Sequence, residues 1–193
     1  MFAQVCYEVL GSKAVRRSEG KRSCAALPHS ATIAPMHDDR DEALPSEPYE
    51  RMGYRITTDV DAMDVDAVHA FLGRSYWAPG VPREVVERSL RGALCFGLFK
   101  ESAQVGLARV ITDRATFAYL SDVYVLEAHR GQGLAQWLVR VILAHPDLQG
   151  LRRFMLATKD AHGLYEKLGF SPLSQPEMFL EIFRPNTYLP PKT

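Results

Sequence analysis

The stretch Arg130-Gly131-Gln132-Gly133-Leu134-Ala135 joins an apolar, β-prone run over residues 117–126 to a helical pattern that Pro146 closes. The apolar residues of that pattern recur at helical spacing, at Leu134, Trp137, Leu138, Val141 and Ile142. A strand therefore turns into a helix through a basic, glycine-rich loop. Glycines let the backbone approach a ligand closely, and the first N–H groups of a helix have no partner within it. The stretch predicts a cradle for an anion, and a pyrophosphate suits it.

The pattern on both sides of this loop predicts an α/β fold with a mixed sheet and the element order β-α-α-β-β-β-α-β-α-β. The predicted strands are residues 54–58, 93–100, 104–112, 117–126, 153–158 and 178–183. Short polar turns make the second, third and fourth of these strands an antiparallel meander. A helix separates the fourth strand from the fifth, so we expect those two to run parallel through a right-handed crossover.

The composition changes near residue 52. Residues 1–52 are first basic and then acidic, prolines interrupt them, and they lack apolar periodicity, so they predict a disordered N-terminal extension. A targeting segment and a later start of translation remain alternatives for this part. Residues 53–184 form the predicted domain, and residues 185–193 are interpreted as a C-terminal tail.

The totals narrow the class of protein. Basic and acidic residues balance at 23 each, so no nucleic acid or anionic membrane is predicted as a partner. The cysteines, Cys6, Cys24 and Cys95, are odd in number and have no metal-like spacing, which favours a reduced, cytoplasmic compartment and no metal site. No uninterrupted apolar run is long enough to span a bilayer.

Two familiar phosphate-binding loops do not fit residues 130–135. A Walker-type loop needs a Lys followed by Ser or Thr, and neither is present. A dinucleotide-binding loop needs a third glycine or alanine where Gln136 stands, and it needs parallel strands before it. A glycine turn that merely precedes a helix remains the simplest alternative.

The chain resembles the GNAT superfamily of acyl-CoA-dependent N-acetyltransferases. Arg130, Gly133 and Ala135 match the three defining positions of the family's Gln/Arg-x-x-Gly-x-Gly/Ala signature for acyl-CoA. The run Leu164-Tyr165-Glu166-Lys167-Leu168-Gly169-Phe170 is similar to the family's second signature, a Tyr-x-Lys-x-Gly-Phe helix end. The resemblance covers roughly residues 54–183. One departure is Thr158, which stands where relatives often have an Asn that contacts the coenzyme.

The resemblance implies roles for both motifs, with acetyl-CoA as co-substrate and no metal. Backbone groups of Val123, Tyr124 and Val125 would pair with the pantetheine arm and polarise the thioester carbonyl. Backbone N–H groups of Arg130, Gly131, Gln132, Gly133, Leu134 and Ala135 would hold the pyrophosphate. Tyr165 would protonate the departing thiolate. We expect the parallel strands to splay and leave the groups of the first set unpaired.

The acceptor side is less determined by the sequence. Asp122 lies on the strand beside the predicted thioester and could act as general base through a water, or it could only pair with a neighbouring arginine. Tyr76 and Trp77 lie in a loop and could be satellites of the core or walls of the acceptor pocket.

The residues and the resemblance together predict an N-acetyltransferase that moves an acetyl group directly to a primary amine in a ternary complex. A small-molecule amine is the expected partner, and a homodimer is compatible with the family, whose members are often dimers. Cys95 is remote in sequence from both motifs, which argues against an acetyl-cysteine route. The alternatives are a catalytically silent coenzyme A-binding sensor and a non-enzymatic interaction protein.

Overall fold

The fold is a mixed six-stranded sheet in sequential order, β1 to β6, as seen in a computed structural model that describes residues 49–184 and 186–190. The strands are β1 (Tyr49–Arg51), β2 (Tyr54–Thr57), β3 (Leu94–Lys100), β4 (Ala103–Thr112), β5 (Phe117–Val125) and β6 (Arg153–Leu156). The helices are α1 (Val65–Leu72), α2 (Arg83–Arg91), α3 (Leu134–Ala144) and α4 (His162–Glu166). Residues 1–48, which make up almost all of the predicted extension of residues 1–52, lie outside the described residues. Cys6 and Cys24 are among them.

The antiparallel meander and the parallel β5–β6 pair are both confirmed. Each face of the sheet carries its own apolar cluster. One cluster joins the sheet to α3 through residues such as Phe96, Leu138 and Ile142. The other joins it to α1 and α2 through Val68, Val86 and Leu107. Helices thus cover both faces, as expected of a sheet whose inner strands are apolar along their whole length.

The sheet begins earlier than predicted. β1 pairs antiparallel with β2 through a tight turn at Met52 and Gly53, both with positive φ, 52° and 72°. Two central residues in this left-handed region give the turn a twist that suits a two-residue hairpin. A methionine at such a position is uncommon, so the sequence offered little indication of the turn. The ordered domain therefore includes residues 49–51, on the far side of the predicted boundary at residue 52.

The predicted last strand, residues 178–183, is wrong. Residues 176–178 form a short 3₁₀ turn, and residues 179–184 follow without pairing to any strand of the described part. Alternating apolar residues predicted a strand, but a strand also needs a partner in register, and alternation does not supply one. The observed order is therefore β-β-α-α-β-β-β-α-β-α.

Residues 186–190, part of the predicted C-terminal tail, pack against the domain. Tyr188 packs against the cluster that contains α1 and α2. A Cβ built on Gly80 would lie 3.0 Å from Leu189 and 3.3 Å from the carbonyl of Tyr188. Residues 186–190 therefore lie close to residues 73–82, the loop that joins α1 to α2. Pro185 and residues 191–193 lie outside the described residues.

Candidate active site

The gap between β5 and β6 forms the centre of the site. The two strands pair in parallel from Phe117 with Arg153 to Leu120 with Leu156, and β5 then continues to Val125 without β6, still paired with β4 on its other side. The predicted splay is thus confirmed, and a cavity of about 450 Å³ opens at it. The cavity is lined by Phe71, Tyr76, Trp77, Leu120, Ser121, Asp122, Val123, Tyr124, Val125, Arg130, Ala135, Ala157, Thr158, Asp160, Ala161, Leu164 and Tyr165. It therefore brings most of the residues singled out from the sequence to one place.

A β-bulge shapes the strand that borders this cavity. Ser121 lies opposite Arg109 and Tyr124 lies opposite Leu107, so Asp122 and Val123 together face one residue of β4, Ala108. Asp122 has a φ of 53°, in the left-handed region that residues other than glycine seldom adopt. Strained positions of this kind cluster at functional sites.

Asp122 is held by two donors. Arg109 Nε lies 2.7 Å from one carboxylate oxygen, and Trp77 Nε1 lies 3.0 Å from the other. The side chains of Arg109 and Asp122 are only 12% and 8% exposed, so this ion pair is largely removed from water. The pairing of Asp122 with an arginine, left open by the sequence, is therefore present. Its action as a base remains a prediction.

One side of the cavity has an aromatic wall. The rings of Phe71 and Tyr124 stack with centroids 3.7 Å apart, and Trp77 lies 6.3 Å from Phe71. Tyr76 meets Trp77 edge to face at 4.9 Å. Tyr76 and Trp77 thus line the cavity, and their role as walls of an acceptor pocket stays a prediction. Phe71 was missed because its helical spacing assigned it only to the apolar face of α1.

The glycine loop, residues 130–135, presents open backbone next to the cavity. Gly131 and Gly133 have positive φ, 79° and 73°, and a Cβ on either would meet nothing within 4 Å. α3 begins after Gly133 without a hydrogen bond from any capping side chain. The first N–H groups of this helix therefore have neither a partner within the helix nor a side-chain cap. Arg130 donates from Nε to the carbonyl of Val125 at 2.9 Å, which fastens the loop to the end of β5.

A second anchor holds the loop from a distant strand. The hydroxyl of Tyr54, on β2, lies 2.9 Å from His129 Nδ1 and 3.4 Å from Gln132 Oε1. Tyr54 itself is buried. Nothing in the sequence pattern of β2 distinguishes this tyrosine from a core residue, so the contact was not predicted.

Tyr165 lies buried on α4 at the cavity wall. Burial raises the pKa of its hydroxyl to about 12, and the nearby Tyr76 and Asp160 add to the shift. The phenol is therefore protonated at neutral pH, as a proton donor must be.

No side chain caps the start of α4, although Asp160 stands just before it, where an acidic residue commonly caps a helix. Thr158 Oγ1 accepts from the amide of Ala161 at 3.1 Å. Asp160 is exposed at the cavity, and within the described residues its carboxylate has no hydrogen bond or ion pair. The sequence did not single out Asp160 for the site because its place before α4 suggested a cap.

The described part of the chain has neither a metal-binding cluster nor a membrane-spanning helix. It contains no group of three or more His, Cys, Asp or Glu side chains able to hold a metal ion. None of its helices is both long and apolar enough to cross a membrane.

The chain is similar to proteins described as acetyltransferases. A family model described as an acetyltransferase (GNAT) domain matches residues 91–172. A protein of Gibberella zeae named as an acetyltransferase is 35% identical over 142 residues, which cover 62% of this chain and 79% of that protein. The crystal structure of a protein from Xanthomonas campestris pv. campestris, described as an acetyltransferase of the GNAT family, is 46% identical with a TM-score of 0.70. It covers 71% of this chain and 97% of its own.

A more distant structure shares the fold alone. Glucosamine-6-phosphate N-acetyltransferase from Arabidopsis thaliana is 16% identical with a TM-score of 0.52, and the match covers 68% of this chain and 97% of that one.

Proposed function

Because the chain belongs to the GNAT family of acetyltransferases, we propose that it moves an acetyl group from acetyl-CoA directly to a primary amine of a small molecule. The observation that carries this proposal is the separation of β5 from β6 after Leu120 and Leu156. It leaves the backbone of residues 121–125 on the wall of a cavity with a helix N-terminus beside it. Both a strand and an anion cradle are thus available to one extended ligand.

The residues fit the coenzyme. Pyrophosphate needs open N–H groups and positive potential, and the glycine loop supplies both at the uncapped start of α3. Val123, Tyr124 and Val125 would bind the pantetheine arm along the unpaired edge of β5. Bound there, acetyl-CoA supplies an activated acyl group, and polarisation of its carbonyl needs a fixed N–H donor.

Tyr165 is proposed as the proton donor to the leaving thiolate. Its pKa of about 12 keeps the proton on the hydroxyl at neutral pH. A thiolate in water, with a thiol pKa near 8.5, is a weaker base than this phenolate, so complete proton transfer to a solvated thiolate would be uphill. In the buried site the leaving thiolate would be poorly solvated and therefore more basic, so Tyr165 would first donate a hydrogen bond to it and give up the proton as the carbon–sulfur bond breaks. The buried position of Tyr165 on the cavity wall would also keep bulk water from competing for this role.

Two carboxylates on the cavity wall could receive the proton of the amine. Asp122 is the residue indicated by the sequence, but both of its oxygens already accept hydrogen bonds. Asp160 is exposed at the cavity and has no such bond within the described residues. We therefore assign Asp122 to holding Trp77 and Arg109 in place, and Asp160 to accepting the proton through a water.

The aromatic wall supports an acceptor with an apolar or aromatic part beside its amine. Phe71, Tyr76 and Trp77 offer ring faces that bind apolar surface and attract an ammonium group before it is deprotonated. A cavity of about 450 Å³ is within the usual range for small ligands.

The deciding experiment measures free thiol released from acetyl-CoA in the presence of a panel of primary amines, arranged from aliphatic to aromatic. We expect amine-dependent release, fastest for arylalkyl amines, with the acetylated amine identified by mass spectrometry. Binding of coenzyme A without release for any amine would support the silent sensor instead. No binding of coenzyme A, by calorimetry and by thermal shift, would overturn both functions.

A further inference from the structure

A second cavity, of about 280 Å³ and called here the arginine cavity, borders the cavity at the β5–β6 gap. The two cavities share three lining residues, Trp77, Ser121 and Asp122. From this shared wall the arginine cavity extends to α2 and β4, which line it with Arg88 and Arg109. A group bound in the arginine cavity therefore lies next to the place where acetyl transfer is proposed.

The wall of the arginine cavity combines apolar surface with a few polar groups. The apolar part includes Val81, Val85 and Ile111. The polar side chains are those of Arg88, Ser89, Arg109, Ser121, Asp122 and Tyr188. Sites for small organic molecules have this composition, in which apolar walls bind the body of the ligand and a few polar groups fix its orientation.

The charged side chains on this wall leave one positive charge unbalanced. Two arginines and one aspartate give the wall a net charge of +1. Arg109 donates from Nε to Asp122 and from Nη2 to Ser121, and its Nη1 has no hydrogen bond within the described residues. The Arg109 side chain is only 12% exposed, so an anion that reaches it would be attracted with little screening by water.

Arg88 differs from the other arginines of α2. Arg83 and Arg91 both pair with acidic side chains, and Glu87 is a partner of each. Arg88 is exposed, and its side chain has no ion pair in the described part of the chain. Its charge is thus available to a ligand in the arginine cavity.

Tyr188 brings a hydroxyl to the same two arginines. Burial raises the pKa of this hydroxyl, and the charges of Arg88 and Arg109 act in the opposite direction, so both guanidinium groups lie near it. Guanidinium N–H groups bind a carboxylate in pairs, and a phenol adds a further donor. A carboxylate carries a single negative charge and balances the wall, whereas a phosphate monoester carries about 1.5 to 2 and would exceed it.

We propose that the arginine cavity binds a carboxylate of the acceptor, which makes the acceptor an amino carboxylic acid with an apolar body. The carboxylate would lie between Arg88 and Arg109, and the amine would reach past Trp77 toward the β5–β6 gap. This inference rests on the proposed function, and it adds two arginines that select the acceptor. Asp122 borders both cavities and holds Arg109 in position for this role.

Pairs of amines that differ by one carboxylate test the acceptor. Phenylalanine is compared with 2-phenylethylamine, and 5-aminopentanoate with butylamine, so that the carboxylate lies next to the amine or at the far end of a chain. We expect kcat/KM to be higher by about tenfold or more for the carboxylated member of at least one pair, because hydrogen bonds between charged groups contribute at least this factor. Equal values within both pairs would overturn the proposal.

Arg88→Met tests the residue, and the exposed position of Arg88 means that the variant should fold. It should remove the preference for the carboxylated amine, whereas Arg88→Lys should retain part of it because the charge remains. Arg91→Met is the matched control, since Arg91 is on the same helix and carries the same charge but does not line the cavity. An equal loss in Arg88→Met and Arg91→Met would mean that net charge alone attracts the acceptor, and the proposal would fail.

The acid 3-phenylpropionate, which has the carboxylate but no amine, tests the arginine cavity without turnover. We expect calorimetry to detect its binding, and we expect Arg88→Met to weaken this binding by about tenfold. If plain amines are acetylated and the acid does not bind, this inference alone fails. If no amine of either kind releases thiol from acetyl-CoA, the proposed function fails, and the acceptor named here fails with it.

Discussion

Arg109 Nε on β4 lies 2.7 Å from Asp122 Oδ2 at the bulge in β5, and both side chains are nearly buried. The same carboxylate accepts from the indole of Trp77 at 3.0 Å. One acidic residue thus ties the sheet to the aromatic wall of the cavity. A buried charge without its partner lowers the stability of a protein, so a structural role of Asp122 predicts a loss of stability when its charge is removed. A chemical role predicts a loss of turnover instead.

Asp122→Asn should lower the free energy of unfolding by about 3 kcal/mol, because Arg109 loses the negative charge beside it. Asp160→Asn should leave stability nearly unchanged, since Asp160 is exposed, but should lower kcat by about a hundredfold. Denaturant unfolding and steady-state kinetics of the two variants test this pair. If Asp122→Asn abolishes turnover at full stability, Asp122 is the base and our assignment is reversed.

Tyr165→Phe should reduce kcat by about a hundredfold or more and leave the affinity for coenzyme A intact, because only the proton donor is removed. Kinetics and calorimetric titration with coenzyme A measure the two effects separately. Tyr119→Phe is the control, since Tyr119 is a buried tyrosine of β5 that does not line the cavity. Undiminished turnover in Tyr165→Phe would remove this tyrosine from the acid role.

Gly133→Ala should weaken coenzyme A binding by roughly tenfold, because the left-handed start of α3 would relax and misdirect its N–H groups. Gly150→Ala is matched to it: Gly150 has a φ of 70°, and a Cβ there also meets nothing within 4 Å. Each variant should lose about 1–2 kcal/mol of stability, but only the first should lose affinity. Equal affinities, measured by calorimetry, would place the pyrophosphate elsewhere.

Tyr54→Phe should weaken coenzyme A binding by about two- to tenfold, since the loop loses its hydrogen bonds to the β2 hydroxyl. The ring remains in the core, so the melting temperature should change little. Isothermal titration of the variant gives the affinity. An unchanged value would mean that Arg130, through the Val125 carbonyl, suffices to hold the loop.

Cys95 should not react with iodoacetamide in the native protein near pH 8. Burial raises the pKa of its thiol to about 11, and its Sγ lies 3.3 Å from the carbonyl of Leu90. With this pKa only about one thiol in a thousand is ionised at pH 8, and the reactive fraction grows as the pH rises toward 11. Mass spectrometry of the Cys95 peptide, native against unfolded, measures the protection. Fast native labelling would contradict the protection of this thiol by burial, and an acetylated Cys95 after exposure to acetyl-CoA would contradict direct transfer.

The sequence determined those parts of the protein that depend on local pattern. Alternating apolar residues and short polar turns located the strands from Leu94 to Val125, and glycines before a helical repeat located the cradle. The helix between β5 and β6 predicted that these strands are parallel, and the family resemblance implied the splay that forms the cavity. Tyr165 was identified from its motif, which spans only a few residues around one short helix and is therefore readable from the sequence.

Only the tertiary structure decided the contacts that depend on register and on distant partners. Tyr54 meets His129 across 75 positions of sequence, and the ion pair of Arg109 with Asp122 depends on a bulge that alternation does not encode. Residues 178–183 have the pattern of a strand but no strand beside them, because pairing needs a second edge as well as a sequence. Local propensity is a property of the chain alone, whereas a sheet neighbour or a buried charge partner is fixed only when the chain has folded.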